Sequence, residues 1–385
     1  MPSPSPLHSV VVASVYNTRQ AKELPGETSA TLIVEAMRGA LERAGLTPDD
    51  VDGVNANSPY GGINPRLAAH LLGGRPRWTG TDLGIGAVLE AAGAIATGQC
   101  HTVLLADGQA GRYRDHRSTS PWTRPENEFV ACFGLYTAAE FALVARRHMH
   151  LYGTPAEALA EVAATIRQNG ARHPEAVHYG RFVTREDVLR SRPIAEPFRL
   201  LDCAINSEGG SAMVLTTAER ARDLDVTPVY LLGGALDRQG MAYVTAPVYD
   251  LYGRVGERAA AIAYRQAGIG PEDVDFAELY DPFSFEVIRQ LEVLGFCREG
   301  EAADFVLEGG IRIGGDLPVA TNGGLLSFSH AGTAQLLQKV IAAVEQLTGR
   351  HPPELTVPGA KIGMATNGGA GALFCDVLLL GLEAP

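Results

Sequence analysis

One histidine has the setting for chemistry. His330 stands in Asn322-Gly-Gly-Leu-Leu-Ser-Phe-Ser-His-Ala-Gly332, a glycine turn with a short apolar run that leads into Leu336, Leu337, Val340, Ile341, Val344 and Leu347. That spacing predicts a helix with the histidine at its start. The first N–H groups of a helix have no internal partner. An imidazole among them can help to hold a developing negative charge, or can simply cap and pack there. Gly324 and Ser329 bring further donors to the same turn. A second glycine turn, Thr366-Asn-Gly-Gly-Ala-Gly371, puts Asn367, Gly368 and Gly369 before the last strand and is a second candidate nest for an anion. Cys100, Cys132, Cys203, Cys297 and Cys375 are scattered, with no Cys-x-x-Cys pair. Neither a disulfide framework nor a zinc ribbon fits that spacing, and no metal site is expected.

The chain that must position these residues has 385 of them, more than one ordinary core, which predicts two domains or one duplicated. Hydrophobic residues at 46% and charged ones at 20% are enough for a large buried core. Lys and Arg number 32 against 44 Asp and Glu, so the net charge of −12 argues against nucleic acid, and there is no basic run for an anionic membrane. The opening Met-Pro-Ser-Pro-Ser-Pro-Leu-His has no signal-peptide pattern, and no 18-residue apolar span follows. A soluble, cytoplasmic protein is expected.

An internal repeat decides the architecture. Residues 44–52 read Ala-Gly-Leu-Thr-Pro-Asp-Asp-Val-Asp and residues 267–275 read Ala-Gly-Ile-Gly-Pro-Glu-Asp-Val-Asp, each after an Ala-rich amphipathic helix and before a strand-like segment. So long a period describes a duplicated α/β domain, with strands and helices alternating in each copy. The first half is expected over 1–224 and the second over 225–385. Between about 109 and 197 the pattern breaks into polar loops and two helices, an inserted loop domain. It is rich in arginine: Arg112, Arg114, Arg117, Arg146, Arg147, Arg167, Arg172 and Arg181 are candidates for coenzyme A phosphates or are simply solvated.

Together, the duplicated Ala-Gly-x-x-Pro-x-Asp-Val-Asp unit, Gly-Gly-Leu-Leu-Ser with its histidine, and Asn-Gly-Gly-Ala-Gly before the last strand resemble the thiolase superfamily. Arg146-Arg-His-Met, Ser191-Arg-Pro-Ile-Ala-Glu-Pro and Leu201-Asp-Cys resemble its sterol-carrier-protein-type, lipid-transfer branch. The resemblance implies a five-layer α-β-α-β-α fold. It also exposes a loss. Thr81 occupies the position of the nucleophilic cysteine, and Ala365 that of the second cysteine. A threonine hydroxyl needs a dedicated base to attack a thioester, so Thr81 reads better as a helix cap than as a nucleophile.

The family's Asn-Glu-Ala-Phe or His-Asp-x-Phe motif reads Tyr280-Asp281-Pro282-Phe283 here, while His330 keeps the Gly-His-Pro histidine. Steroid side-chain aldolases of this branch are similar in carrying a tyrosine there and no catalytic cysteine. The resemblance therefore implies retro-aldol cleavage of a β-hydroxyacyl-CoA. Tyr280 would take or relay the hydroxyl proton, His330 would hold the enolate oxygen, and Asp281 would orient one of them or merely shape the turn. Related aldolases carry a second tyrosine where this chain has Phe328, Ser329 and His330, so His330 substitutes for that group or the reaction differs. No cofactor is expected beyond the coenzyme A of the substrate. A homodimer and a small zinc-ribbon/OB-fold subunit are the partners implied. An acyltransferase using the same pocket and a non-catalytic acyl-CoA-binding subunit are the other readings. Tyr60, Trp122 and Phe283 are candidate pocket walls.

Overall fold

The computed structural model describes residues 5–57, 63–111, 137–240, 248–369 and 373–384. Tyr60, Trp122, Cys132, Arg112, Arg114 and Arg117 lie outside these. Strands β1 (Val10–Asn17), β2 (Gly53–Asn57), β3 (Trp78–Thr79), β4 (Thr102–Gln109), β7 (Gly209–Thr217), β8 (Val229–Ala235), β9 (Phe276–Glu278), β10 (Ile362–Gly369) and β11 (Phe374–Gly381) pair in the order β3-β2-β4-β7-β1-β8-β11-β10-β9. A separate hairpin joins β5 (Pro193–Ala195) and β6 (Phe198–Arg199).

The long sheet has two like halves back to back. From the junction of β1 and β8, where Val11 faces Tyr230 and Val12 faces Val229, each half runs outward through two antiparallel pairings and then a parallel one. In the first half β3 then pairs in parallel with β2. In the second, a lone parallel bridge between Ala277 and Val319 stands in that place.

Alternation along the strands sorts side chains onto two faces and builds the layers. Leu104 packs outward with Ile33, Met37 and Leu41 of α1 (Ser29–Arg43) and Leu72 of α2 (Pro65–Leu72). Val103 and Leu105 turn inward, as Leu378 and Leu380 do from the second half. Between the halves lie two buried helices, α3 (Gly84–Ala96) and a long one, Ala334–Leu347. Val377 and Leu379 face out again onto α7 (Glu257–Ala267) and α8 (Ser284–Val293). Helix, sheet, helix, sheet, helix is the expected five-layer order.

The repeat builds the same device twice. Gly45 and Gly268 end their helices at φ +65° and +71°, where a side chain would be strained. Asp50 and Asp273 then cap a short turn, accepting from the Thr47 and Gly270 N–H groups at 2.9 and 2.8 Å. Asp52 and Asp275 reach the first N–H groups of the neighbouring parallel strand, Thr102 at 2.8 Å and Ile362 at 2.9 Å. One sequence unit thus fixes both a helix exit and a strand register.

The inserted region supplies α4 (Thr137–Tyr152), α5 (Ala156–Arg172) and α6 (Arg185–Arg190). It packs against the second half: Phe141, Val144, Val162 and Ile166 share a core with Phe285 and Ile288. The Ala334–Leu347 helix, the next in this numbering, is α9. No helix among the described residues is long and apolar enough to cross a membrane.

Candidate active site

The central layer points the start of α9 at the residues singled out above. His330 stands four positions before Ala334, with Thr333 as N-cap, so it precedes the helix instead of opening it. It follows a tight five-residue π turn, Gly324–Phe328. That turn needs glycine. Gly323 and Gly324 sit at φ +104° and +51°, and a methyl group on Gly324 would collide with the Asp281 carboxylate. Gly324→Ala should therefore lower stability by about 1–3 kcal/mol, read as a fall in the thermal midpoint. An unchanged midpoint would mean that the turn relaxes freely.

Asp281 holds the turn from below. Its carboxylate accepts from Leu325 N–H at 3.0 Å and Leu326 N–H at 3.2 Å, and Lys339 Nζ of α9 lies 2.5 Å away. Burial pushes this carboxyl up, while Lys339 and the two N–H groups pull it back down. Its contacts make Asp281 a support for the turn. Lys339, four residues after Gln335 and so on the same face of α9, is a site residue that sequence reading missed.

His330 is held from the main chain. Its N–H donates to Ser207 Oγ at 2.8 Å; that oxygen lies 2.9 Å from Ser329 Oγ, which donates to Gln20 Oε1 at 2.7 Å. The residue as a whole is half-buried, but its ring Nδ1 is shut off from water and has no protein partner among the described residues. Burial pulls the imidazole down to about 4, against a weaker contribution from a hydrogen bond with the Ile205 backbone. A lowered value means a neutral ring at every pH above about 4. A neutral imidazole can still donate one N–H to an oxyanion. Any effect of His330 titration on a pH–rate profile should accordingly fall near 4, well below the ordinary histidine range; one near 6.5 would contradict a neutral ring.

Tyr280 lies two residues beyond β9, the strand next to β10, and is 6% exposed. Its N–H donates to Thr366 Oγ1 at 2.8 Å, and its carbonyl accepts from Gln290 Nε2 at 2.6 Å. Its ring lies against Gly368, where a Cβ would come within 2.9 Å of Cδ1. Gly368 and Gly369 belong to β10, paired with Cys375 and Phe374, so the expected glycine nest is in fact ladder over these two residues. Gly368 is needed to let the tyrosine in. Asn367 is likewise occupied: its Oδ1 accepts from Ile85 N–H at 2.7 Å, and its Nδ2 donates to Leu336 O at 2.9 Å. It ties the starts of α3 and α9 to β10.

The chain's relatives identify its family. Residues 244–381 match the family described as thiolase C-terminal domain-like. A steroid side-chain-cleaving aldolase of Thermomonospora curvata is 34% identical over 393 aligned residues, covering 94% of this chain and 97% of the relative. This chain belongs to the thiolase superfamily, in its sterol-carrier-protein-type branch. A 17-hydroxy-3-oxo-4-pregnene-20-carboxyl-CoA lyase of Mycobacterium tuberculosis is 36% identical, covering 79% of this thiolase-like chain and 83% of its own. Among solved structures, the Ltp2-ChsH2(DUF35) aldolase superposes with a TM-score of 0.83 at 32% identity, covering 97% of this chain and 98% of that one.

The thiolase thiols are absent from their family positions. Thr81 is exposed and does not cap α3, which begins at Gly84 behind Leu83; the N–H groups of Thr81 and Asp82 go to Glu90 Oε2 at 2.9 and 3.0 Å. The cap expected from sequence is absent because the helix starts three residues later. Ala365 is buried in β10. Cys375 lies in the outer core with α7 and α8, on the far side of the sheet from α9. Cys203 donates to Arg199 O at 3.3 Å. Burial pushes the thiols of Cys100, Cys203, Cys297 and Cys375 up to about 12, so none of these four supplies a thiolate near neutrality.

Of the arginines proposed for coenzyme A, Arg167 is 2% exposed and donates to Leu201 O and Cys203 O, both at 2.9 Å. It anchors the loop that brings Ser207 to His330. Arg146 and Arg147 pair with Glu196 and Asp250.

Proposed function

We propose that this chain cleaves the bond between Cα and Cβ of a β-hydroxyacyl-CoA by a retro-aldol reaction, on a steroid side-chain thioester. The observation that carries the reading is the exchange at the site: an alanine and an exposed threonine stand at the thiol positions, while a buried tyrosine and a neutral histidine border the start of α9. Both relatives named above are lyases, and the substrate in one name carries its hydroxyl at C17 and its thioester carbonyl on C20, a β-hydroxyacyl arrangement.

In the proposed reaction Tyr280, as the phenolate, accepts the substrate hydroxyl proton. The oxygen's electron pair forms the new carbonyl as the Cα–Cβ pair moves onto the thioester, giving an enolate. His330 donates its N–H to the enolate oxygen, and Tyr280, now a phenol, returns a proton to Cα directly or through water, which releases the shortened CoA thioester. A positioned acid or base contributes roughly 10²–10⁴-fold, and one oxyanion donor a further ~10²–10³-fold. Asp281 and Lys339 act through the Gly324–Phe328 turn. Pairing with a second copy and with a DUF35-type subunit, the kind named in the Ltp2-ChsH2(DUF35) aldolase, completes the reading.

The test is to incubate the chain, with and without a DUF35-type partner, with a 17-hydroxy steroid carboxyl-CoA, and to measure products by mass spectrometry. Equimolar steroid ketone and shortened CoA thioester are expected. Turnover only to a thiolysis product, or none with either preparation, would reject the proposal.

A further inference from the structure

Gln335, in the first turn of α9, is 7% exposed, and its side chain makes one hydrogen bond among the described residues: Nε2 donates to Tyr280 Oη at 3.5 Å. Its Oε1 is buried without a partner there. A half-satisfied buried amide costs about 1–3 kcal/mol relative to a fully paired one. Gln338 also leaves a buried Oε1 unpaired among the described residues, but its Nε2 holds Gln20; Gln346 bonds the Leu355 carbonyl, and Lys339 pairs with Asp281. Those contacts join elements of the fold. The contact of Gln335 reaches only the hydroxyl of Tyr280.

We propose that Gln335 is the positioning residue for Tyr280. Its N–H donates to Oη, which fixes the direction of that oxygen and favours the negative charge it must carry before the substrate proton arrives. A hydrogen bond to a charged oxygen is about twice as strong as one to a neutral oxygen, so the contact favours the phenolate that acts as the base. The assignment rests on the proposed role of Tyr280.

Steady-state kinetics on the aldol cleavage assay, run with Gln335→Leu and with the slimmer Gln335→Met as a guard against misfolding, tests it. Each should lower kcat roughly 10–100-fold with little change in KM, because the lost bond orients the base and favours its charged form without touching the bulk of the substrate. Placed on top of Tyr280→Phe, either substitution should change kcat less than about threefold, since its route through Oη is gone. Folded variants that cleave at the wild-type rate, or that lose the same factor with Tyr280→Phe present, would overturn the assignment while leaving Tyr280's role standing. Full activity in Tyr280→Phe alone would bring down the reading of Tyr280, and this assignment with it.

Discussion

Tyr280→Phe should lower kcat for carbon–carbon cleavage by roughly 10²–10⁴-fold and leave the fold in place. The substitution removes one oxygen. The ring keeps its seat against Gly368, and the main chain keeps its bonds to Thr366 and Gln290. The Gln335 amide loses its acceptor, a cost of about 1–3 kcal/mol at most. A drop in kcat with a thermal midpoint shifted by only a few degrees is therefore the expected signature. A folded variant that still cleaves at the wild-type rate would remove Tyr280 from the chemistry.

Lys339→Met should be the most destabilising single change near the site. Lys339 is 2% exposed and Asp281 fully buried, and the methionine would leave the carboxylate among apolar layers with only two backbone donors. Removing one partner of a buried ion pair costs about 3–5 kcal/mol, because the survivor is left uncompensated. Glu278, whose carboxyl burial also raises and Lys339 lowers, would lose its nearest cation too. The denaturation midpoint reports the loss. Adding Asp281→Asn to Lys339→Met should recover part of it, since a neutral amide is cheaper to bury; a double variant no better than the single one would show that the pair is not coupled.

The features written in short stretches of chain were legible in advance. The two Ala-Gly…Pro-x-Asp-Val-Asp units announced a duplicated α/β fold because helix exit, cap and strand clamp lie within nine residues of one another. The turn before His330 showed itself through its glycines. What depended on distant parts of the chain was not legible. Gln20 meets Ser329, and Arg167 meets Cys203, only after folding. Gln335 and Lys339 interrupt an apolar helix, but amphipathic helices carry such residues harmlessly on a solvent face; only the five-layer order buries α9 on nearly every side and so demands partners for them. Thr81 misled as a cap because the helix begins three residues later, at Gly84 behind Leu83, and the Leu83 N–H goes to Asp82 Oδ1 at 2.8 Å. Gly368 and Gly369 of β10 misled too: they read as a turn, and their use is to admit the rings of Tyr280 and Phe374.

The central claim is carbon–carbon cleavage with no thiol in the reaction, and the intact mass of the wild-type chain during turnover addresses it most directly. The chain is mixed with a 17-hydroxy steroid carboxyl-CoA, quenched in acid before the substrate is exhausted, and weighed. The account predicts a protein of unchanged mass while ketone and shortened CoA thioester accumulate. An acyl adduct that maps to Cys203, Cys375 or any other cysteine, and that forms and decays at the rate of product release, would contradict it.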